Sequence, residues 1–559
     1  MMDTTVKMIE VFCTNTQSKF LVPSGTMLKD VIAYAGMENA EKILGATVNN
    51  KVQRLDYRIY TPRTVNFLDI FNANGKRMYA LSLMFLCYKA VKDIYPEADL
   101  HIKHSMNDGY YTELINCNDQ LTEATEKIKK QMQQLVEKNL PFERKIIPSN
   151  EAAELFDKVG MKEKAQLIRS SGWLYTNVDI LDGTVNAFFF HLVMSTGYLK
   201  IFDLVPYQSG MMLFMPDNDK DYSEPGVITK QDKLFGIFKE HQNWIEILQV
   251  PYVSRLNYGV KNGYVNQIIQ VSEALHEKKY AEIADNIIRK KDNVKIVFLA
   301  GPSSSGKTTS CRRLATQLAV GGIHPVQISM DDYFNDREHT PKDENGEYDF
   351  ECLEAVDLEF FSYQMQQLLK GEEVELPKFD FVKGEKSPSG NKIRLNDNSI
   401  LIVEGIHALN PKLSADIKRK NKYFVFVSAL TQVALDRYNL ISTSDNRLIR
   451  RIVRDNNYRG SSAEDTLLRW ASVRSGEEKH IFPYQENADS IFNSSLLYEI
   501  GLLKTYCEPL LMKVPQNSLA YADAQRLLRF LNNFASISAD FVPPTSIMRE
   551  FLGGSSFVY

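Results

Sequence analysis

Residues 301–309 (GPSSSGKTT) have the types and spacing that most clearly indicate chemistry. They fit the pattern GxxxxGK[ST] and follow the apolar run 294–300, which predicts a strand, a glycine-rich loop and a helix start. Backbone N–H groups of such a loop can hold nucleotide phosphates, while the lysine adds charge and the hydroxyl can bind Mg²⁺. A serine- and glycine-rich turn without a ligand is the alternative. The predicted cofactor-binding residues are Gly301, Ser303, Ser304, Ser305, Gly306, Lys307, Thr308 and Thr309.

A carboxylate follows the next predicted strand. Residues 326–330 are typical of a strand parallel to the first, and Asp331 and Asp332 come directly after it. Ligands of open α/β sheets lie at the carboxyl ends of the strands, and a carboxylate there can accept a proton from an attacking hydroxyl. We therefore expect Asp331 to act as a general base, with an aspartate helix cap as the alternative.

Several stretches between residue 295 and about 495 match one family in order: GPSSSGKTT, ISMDDYF, YDF, LPKFDFV, LIVEGIHAL and DNRLIRRIVRDNNYRG. On these stretches the chain resembles the uridine kinase branch of the phosphoribulokinase/uridine kinase family. The resemblance implies an α/β fold with a parallel sheet between two helical layers, ATP and Mg²⁺ as cofactors, and a nucleoside substrate. It places Asp331 at the general-base position, Asp349 at the carboxylate that grips the ribose, and Glu404 with Thr308 at the Mg²⁺.

Five arginines and two acids lie in segment 445–459. Positions 447, 450 or 451, and 454 share one helix face, and clustered guanidinium groups suit bidentate binding of phosphate. We predict a lid that closes over ATP, with Lys307, Arg447, Arg450 and Arg454 as catalytic residues beside Asp331. A solvated basic helix is the alternative.

The expected substrate contacts come from several segments. Two polar residues that read the pyrimidine in the family fall at Phe379 and Gly384, so two contacts to the base are absent and uridine itself is in doubt. The predicted substrate-binding residues are Asp331, Tyr333, Asp349, Phe379, Asp380, Arg447 and Arg459.

Residues 1–64 resemble the TGS domain, a β-grasp module, in VPSGT, DVI and GATVNNK. A predicted helix at 78–95 is followed by the stretches YPEADLHIKHSMNDGYYTEL, LPFERKIIPSNEAAELFDKVGMKEKAQLI and VDILDG. In this order, residues 65–225 resemble the α+β domain that follows TGS in threonyl-tRNA synthetases and hydrolyses mischarged tRNA. Where that family has HxxxH this chain has Met78 and Ser82, and where it has Cys and His this chain has Leu181 and Val185. These side chains suit neither metal binding nor proton transfer, so we expect no editing activity. The alternative roles for this half are contact with RNA or a nucleotide, or service as a docking or dimerisation scaffold.

The rest of the chain completes a multidomain organisation, as expected for 559 residues with 44% hydrophobic residues. We predict a helical connector at 226–291, the phosphate-loop domain at 292–500 and a C-terminal helical extension at 501–559. The final residues, 551–559, are expected to be a frayed terminus, with docking into a partner subunit as the alternative.

The composition of the chain argues against several classes of protein. A net charge of −4 argues against general polyanion binding, and six scattered cysteines without a CxxC pair suggest neither zinc ribbon nor disulfide framework. No apolar run of about 18 residues and no signal peptide are found, so we expect a cytoplasmic protein without a membrane segment. Separately, we expect the protein to form a homo-oligomer.

The leading hypothesis is an ATP-dependent kinase that phosphorylates the 5′-hydroxyl of a nucleoside. A second hypothesis keeps the phosphoryl transfer but changes the acceptor to a sugar phosphate or another small alcohol. A third makes the protein an ATP-switched sensor of RNA or nucleotide.

Overall fold

The computed structural model describes residues 7–106, 109–229, 231–342, 346, 348–380, 383–431 and 433–558. An N-terminal sheet module is followed by an α+β unit, a helical connector, a parallel-sheet domain and a C-terminal segment.

The N-terminal module is a five-stranded mixed sheet with one helix, in the strand order β2-β1-β7-β4-β5. Burial alternates along β1, so Ile9, Val11 and Cys13 point into the core. Strand β7 pairs with both β1 and β4, so the sheet continues past the boundary predicted at residue 64. The elements are β1 (Met8–Cys13), β2 (Ser18–Pro23), β3 (Thr26–Met27), α1 (Leu28–Tyr34), β4 (Gly45–Val48), β5 (Lys51–Gln53), β6 (Arg58–Ile59) and β7 (Arg63–Leu68).

The α+β unit has an antiparallel sheet in the order β13-β14-β9-β8 and a smaller sheet β10-β11-β12. Met78 and Ser82 are buried on α2, where the Ser82 hydroxyl donates to the Met78 carbonyl at 2.7 Å and accepts from the Val193 N–H at 2.9 Å. The elements are α2 (Ala73–Ile94), β8 (Asp99–Met106), β9 (Gly109–Ile115), α3 (Leu121–Glu137), β10 (Glu143–Pro148), α4 (Ser149–Lys158), α5 (Lys162–Ser171), β11 (Tyr175–Leu181), β12 (Thr184–Asn186), β13 (Asp203–Tyr207) and β14 (Gly210–Phe214).

The connector consists of α6 (Asp232–Leu248), α7 (Val253–Lys261) and α8 (Val265–Ile288). Helix α8 packs against the parallel-sheet domain and is not a solvent-exposed linker. Its Tyr280 hydroxyl lies 2.9 Å from the Ser310 hydroxyl, and its Glu277 carboxylate pairs with Arg313 at 2.7 Å.

The parallel-sheet domain has the strand order β16-β19-β15-β20-β21, with all neighbouring strands parallel. Strands β15 and β19 are buried throughout, as expected of a sheet covered on both faces. Alternate residues of β15 pack into two cores, Val297 and Leu299 on one face of the sheet, and Phe298 and Ala300 on the other. The predicted α/β class is therefore confirmed. The elements are β15 (Ile296–Ala300), α9 (Lys307–Val320), β16 (His324–Ser329), α10 (Leu358–Leu369), β17 (Val374–Asp380), β18 (Glu385–Ile393), β19 (Ser399–Glu404), β20 (Lys422–Ser428), α11 (Thr443–Tyr458), α12 (Ala463–His480) and β21 (Ser490–Asn493).

The C-terminal segment contains α13 (Glu499–Leu511), α14 (Tyr521–Leu531) and α15 (Arg549–Leu552). Ile547, Met548 and Phe551 are fully buried in the core of the parallel-sheet domain. The expectation of a frayed terminus from residue 551 is therefore wrong for Phe551, because its ring fills space between other elements. Among the described residues, no helix is both long enough and apolar enough to cross a membrane.

The segment 433–442, which we call the clamp loop, joins the parallel-sheet domain to the α+β unit. Its Arg437 carbonyl accepts the Ile102 N–H at 3.0 Å and its Tyr438 hydroxyl donates to Asp99 at 2.7 Å. Its Asp436 carboxylate lies 3.2 Å from the Lys164 ammonium, with both side chains fully buried. Burial lowers the pKa of Lys164, while the Asp436 charge opposes that shift.

Lys164→Met tests this contact. The Lys164 ammonium also donates to the Asn186 side chain at 2.6 Å and the Ala187 carbonyl at 2.8 Å, so the variant removes the cation beside a buried carboxylate. We expect the free energy of unfolding in urea to fall by about 3 kcal/mol. Lys162→Met, on the exposed face of the same helix, is the control and should change it by less than about 0.5 kcal/mol. Equal effects of both variants would contradict a buried ion pair.

Candidate functional site

The phosphate loop, residues 301–306, leaves the carboxyl end of β15 and enters α9. A Cβ on Gly301 would lie 2.0 Å from the Val427 carbonyl oxygen, so only glycine fits against the neighbouring strand. Gly306 has φ of +83° and precedes the first residue of α9, a conformation that favours glycine. The two glycines of the motif thus set the close approach and the turn into the helix.

Donor groups of the loop and of the helix N-terminus donate hydrogen bonds to carboxylate oxygens. The Ser303 N–H donates to the Glu477 carboxylate at 3.0 Å. The Thr309 N–H and hydroxyl donate to the Glu550 carboxylate at 3.1 and 2.6 Å. Because N–H groups in the first turn have no partner within the helix, this site suits phosphate oxygens. The donor set therefore fits the predicted nucleotide.

Glu404 lies at the end of β19, next to the loop. Its carboxylate accepts hydrogen bonds from the Thr308 and Ser329 hydroxyls, each at 3.3 Å. Burial, then the nearby Asp331 charge, raises the pKa of Glu404 to about 7. A hydroxyl and a carboxylate are oxygen ligands of the kind that Mg²⁺ takes beside nucleotide phosphates, so Thr308 and Glu404 fit the predicted metal.

Asp331 occupies the single helical turn Met330–Tyr333 that follows β16. It is half-buried, and its N–H donates to the Ser329 hydroxyl at 3.3 Å. Its charge helps to raise the pKa of the Glu404 and Glu351 carboxyls. The structure thus brings Asp331 to the same sheet edge as the loop and Glu404, as the strand pattern predicts.

Glu351 is a residue of this site that the sequence prediction missed. In the described part of the chain its Oε2 atom is shielded from solvent and has no hydrogen-bond partner. Burial raises its pKa to about 7, and Arg451, Glu477, Lys307 and Asp331 are the charges that act on it. The predicted Asp349 is two residues away, and its carboxylate accepts the Glu351 N–H at 3.0 Å. The only sequence signal for Glu351 was an acid beside that predicted carboxylate.

The structure corrects the predicted arginine lid. Arg447 and Arg450 are 1% and 0% exposed, with no open surface to close over a nucleotide. Arg447 pairs with Glu477 at 2.7 Å and donates to the Ser303 carbonyl at 3.1 Å. Arg450 pairs with Glu499 at 2.7 Å and donates to the Ser304 carbonyl at 3.3 Å. These two arginines therefore brace the loop through its carbonyl groups.

The other arginines of this segment, two in α11 and one directly after it, lie closer to solvent. Arg451 donates to the Ser303 hydroxyl at 2.8 Å. Arg454 pairs with Asp455 at 2.7 Å, and the side chain of Arg459 is 49% exposed. The pKa of Arg459 is lowered, first by Arg454, and Asp331 acts against that shift, so Arg459 lies within electrostatic range of the expected base.

Two predicted substrate residues are turned into the core. Tyr333 is fully buried and its hydroxyl donates to Gln364 at 2.7 Å, which corrects its assignment as a substrate contact. Phe379 is buried beside Phe334, with ring centroids 5.8 Å apart. The Asp380 carboxylate accepts the Lys383 N–H at 3.1 Å.

Residues 296–497 match the model described as "Phosphoribulokinase / Uridine kinase family". The C-terminal part of the chain is a domain of this family. A uridine kinase from Chloroflexus aurantiacus is 27% identical over 198 residues, which are 35% of this chain and 85% of that protein.

Two further proteins are similar to parts of the chain. A threonine–tRNA ligase from Clostridioides difficile is 32% identical over 129 residues, 23% of this chain and 20% of the ligase, and the match lies in the N-terminal region. A solved structure described as a possible uridine kinase from Bacillus stearothermophilus has a TM-score of 0.24 and 20% identity, covering 36% of this chain and 89% of its own.

Glu404→Gln tests the effect of the crowded carboxyl groups in the parallel-sheet domain. The Glu404 pKa is raised from 4.5 to about 7, so the unfolded chain releases this proton first and folding stability falls as pH rises through that window. The variant should therefore be more stable than the wild type by about 1–3 kcal/mol at pH 8 and equally stable at pH 4.5, in urea denaturation without metal. Exposed Glu354→Gln is the control. A pH-independent difference would contradict the raised pKa.

Arg450→Lys tests whether Arg450 supports the phosphate loop structurally or closes over the nucleotide as a lid. Lysine cannot reproduce the paired contacts to Glu499 and the loop, so we expect unfolding free energy to fall by about 2 kcal/mol and ADP binding to weaken together. The matched control is Arg469→Lys, on the exposed face of α12. Loss of turnover with unchanged stability would instead support the lid.

Proposed function

We propose that the protein is an ATP- and Mg²⁺-dependent kinase that phosphorylates a hydroxyl of a small molecule, with the 5′-hydroxyl of a nucleoside as the leading acceptor. The observation that carries this proposal is the convergence of the phosphate loop, Asp331 and Glu404 at the ends of three neighbouring parallel strands. A sensor that only binds nucleotide would need no carboxylate base beside the loop.

Each group has a role that follows from its position. The loop amides and Lys307 would bind the phosphates, and Thr308 with Glu404 would hold Mg²⁺, which supplies charge neutralisation on the phosphates when bound. Asp331 accepts the proton of the attacking hydroxyl as the new O–P bond forms, while the bond between the γ-phosphorus and its bridging oxygen breaks and ADP leaves. Arg451 and Arg459 stabilise negative charge near the transferring group. Most of the rate enhancement would come from positioning and electrostatics.

The acceptor remains a class rather than a compound. Tyr333 and Phe379 offer no polar atom to a base, because one is bonded within the core and the other is aromatic and buried. At Gly384 a Cβ would lie 2.8 Å from Nε of Arg337, so the Arg337 guanidinium occupies the space where a side chain could project. We propose that Arg337 takes part in reading the acceptor. A donor-only group favours an acceptor with carbonyl oxygens or a phosphate.

Asp331→Asn is the direct test of the chemistry. Removing the base should lower kcat by about 10²–10⁴-fold while leaving the KM for ATP within about threefold, measured by ADP release with the best acceptor. Asp397→Asn, in an exposed turn, is the control. A parallel loss of ATP binding would show that Asp331 holds the nucleotide rather than the proton.

The acceptor is found by measuring ADP release with nucleosides, sugar phosphates and other small alcohols, each compared with Lys307→Ala. Turnover with a nucleoside that Lys307→Ala abolishes supports the leading acceptor, and turnover with only another alcohol shifts the class. Absence of turnover together with ATP-modulated tRNA binding would favour the sensor, for which the similarity to threonine–tRNA ligase is the supporting observation.

A further inference from the structure

A carboxylate from the C-terminal segment occupies donors of the phosphate site. Glu550 lies in α15, 241 residues beyond Thr309, and accepts from both the N–H and the hydroxyl of Thr309. Thr309 is the third residue of α9, so its N–H belongs to the set that no helix carbonyl can satisfy. An anionic oxygen at this place is what the loop is built to bind.

The segment 546–553, which we call the strap, is seated on the loop by several contacts. A Cβ on Gly306 would lie 2.4 Å from Cδ1 of Ile547, so the Ile547 side chain lies directly against the loop glycine. The Ser546 hydroxyl bonds to the buried Glu273 carboxylate of the connector. The strap therefore reaches the loop from a fixed anchor.

The strap also touches the helix that braces the loop. The Phe551 ring lies 5.2 Å from the Arg450 guanidinium, and the Phe551 carbonyl accepts from the Asn457 side chain at 3.0 Å. Arg450 in turn donates to the Ser304 carbonyl. Strap, α11 and loop thus form one packed group, in which moving the strap changes the surroundings of the loop.

The charge balance opposes simultaneous occupancy. Glu550 is one of the charges that raise the pKa of Glu404, so the strap carboxylate lies within electrostatic range of the expected metal ligand. A phosphate oxygen arriving at Thr309 would meet a carboxylate of the same sign on the same two donors. Two anions cannot share these donors without strong repulsion.

We infer that the strap is an autoinhibitory element. Its Glu550 carboxylate competes with a nucleotide phosphate for Thr309, so the strap must leave the loop when the nucleotide binds. The inference rests on the proposed nucleotide binding but not on the identity of the acceptor. Apparent nucleotide affinity is then reduced by the fraction of molecules in which the strap is seated. Any interaction that lifts the strap would activate the site without touching it.

The test measures binding of Mg²⁺–ADP by calorimetry to the full-length chain. Glu550→Gln keeps the shape of the side chain and removes its charge, so we expect the Kd for ADP to fall about tenfold. The matched control is Glu508→Gln, which neutralises a carboxylate of the same C-terminal segment that pairs with Lys504, and which should leave the Kd unchanged. Equal Kd values for wild type and Glu550→Gln would overturn the inference.

A second measurement uses the wild-type chain and so does not depend on a variant folding. The N–H groups of Phe551, Leu552 and Gly553 are bonded within the strap, at 3.1, 3.1 and 2.9 Å. If the strap leaves, hydrogen exchange at these amides accelerates on addition of saturating Mg²⁺–ADP. Unchanged exchange would show that nucleotide binds with the strap seated, which overturns the inference even if Glu550→Gln binds ADP more tightly.

The outcomes separate this inference from the proposed function. Tight ADP binding with a strap that stays seated removes the inference and leaves the kinase proposal standing. Strap release without phosphorylation of any alcohol supports the inference and removes the kinase proposal. Failure of wild type and Glu550→Gln alike to bind ADP overturns both.

Discussion

The phosphate loop depends on two buried ion pairs beneath it. Arg447 with Glu477, and Arg450 with Glu499, are removed from solvent and bind the loop through backbone groups. Buried charges are costly unless they are paired and hydrogen-bonded, so each arginine is held in one geometry by its glutamate. The Glu477 carboxylate also accepts the Ser303 N–H, which ties one ion pair to both a donor and an acceptor of Ser303. A loop of flexible residues is in this way kept in one shape before any ligand arrives.

On the side of the loop where a nucleotide is expected, negative charge predominates, because carboxylates outnumber cations. Asp331, Glu351, Glu404 and Glu550 all lie within electrostatic range of one another or of Lys307. Desolvation and mutual repulsion raise the pKa of Glu351 and Glu404 to about 7. Such a site favours cations, so under the proposed function a nucleotide would enter more favourably with Mg²⁺ than alone. Metal binding would then be coupled to proton release from these carboxyl groups.

Local sequence patterns predicted the parts of the site that lie at the ends of strands in the parallel sheet. The loop, Asp331 and Glu404 each follow a predicted strand, so their meeting at one sheet edge required only the rule for parallel sheets. The partners of Arg447 and Arg450 could not be found this way, since one helix face rich in arginine is compatible with phosphate or with buried acids. Glu477 and Glu499 lie on other helices, and Glu550 lies near the end of the chain. Glycine and serine near the terminus indicated turns but could not show that Phe551 fills a cavity built by distant elements.

The clamp loop makes the stability of the parallel-sheet domain depend on the front half of the chain. Its Asp436 pairs with Lys164 of the α+β unit, and the same loop leads directly into the helix that braces the phosphate loop. Without the front half, the Asp436 carboxylate would lose the ammonium that balances its charge. A buried carboxylate without its partner is strongly destabilising, so the parallel-sheet domain relies on another part of the chain to neutralise one of its own charges.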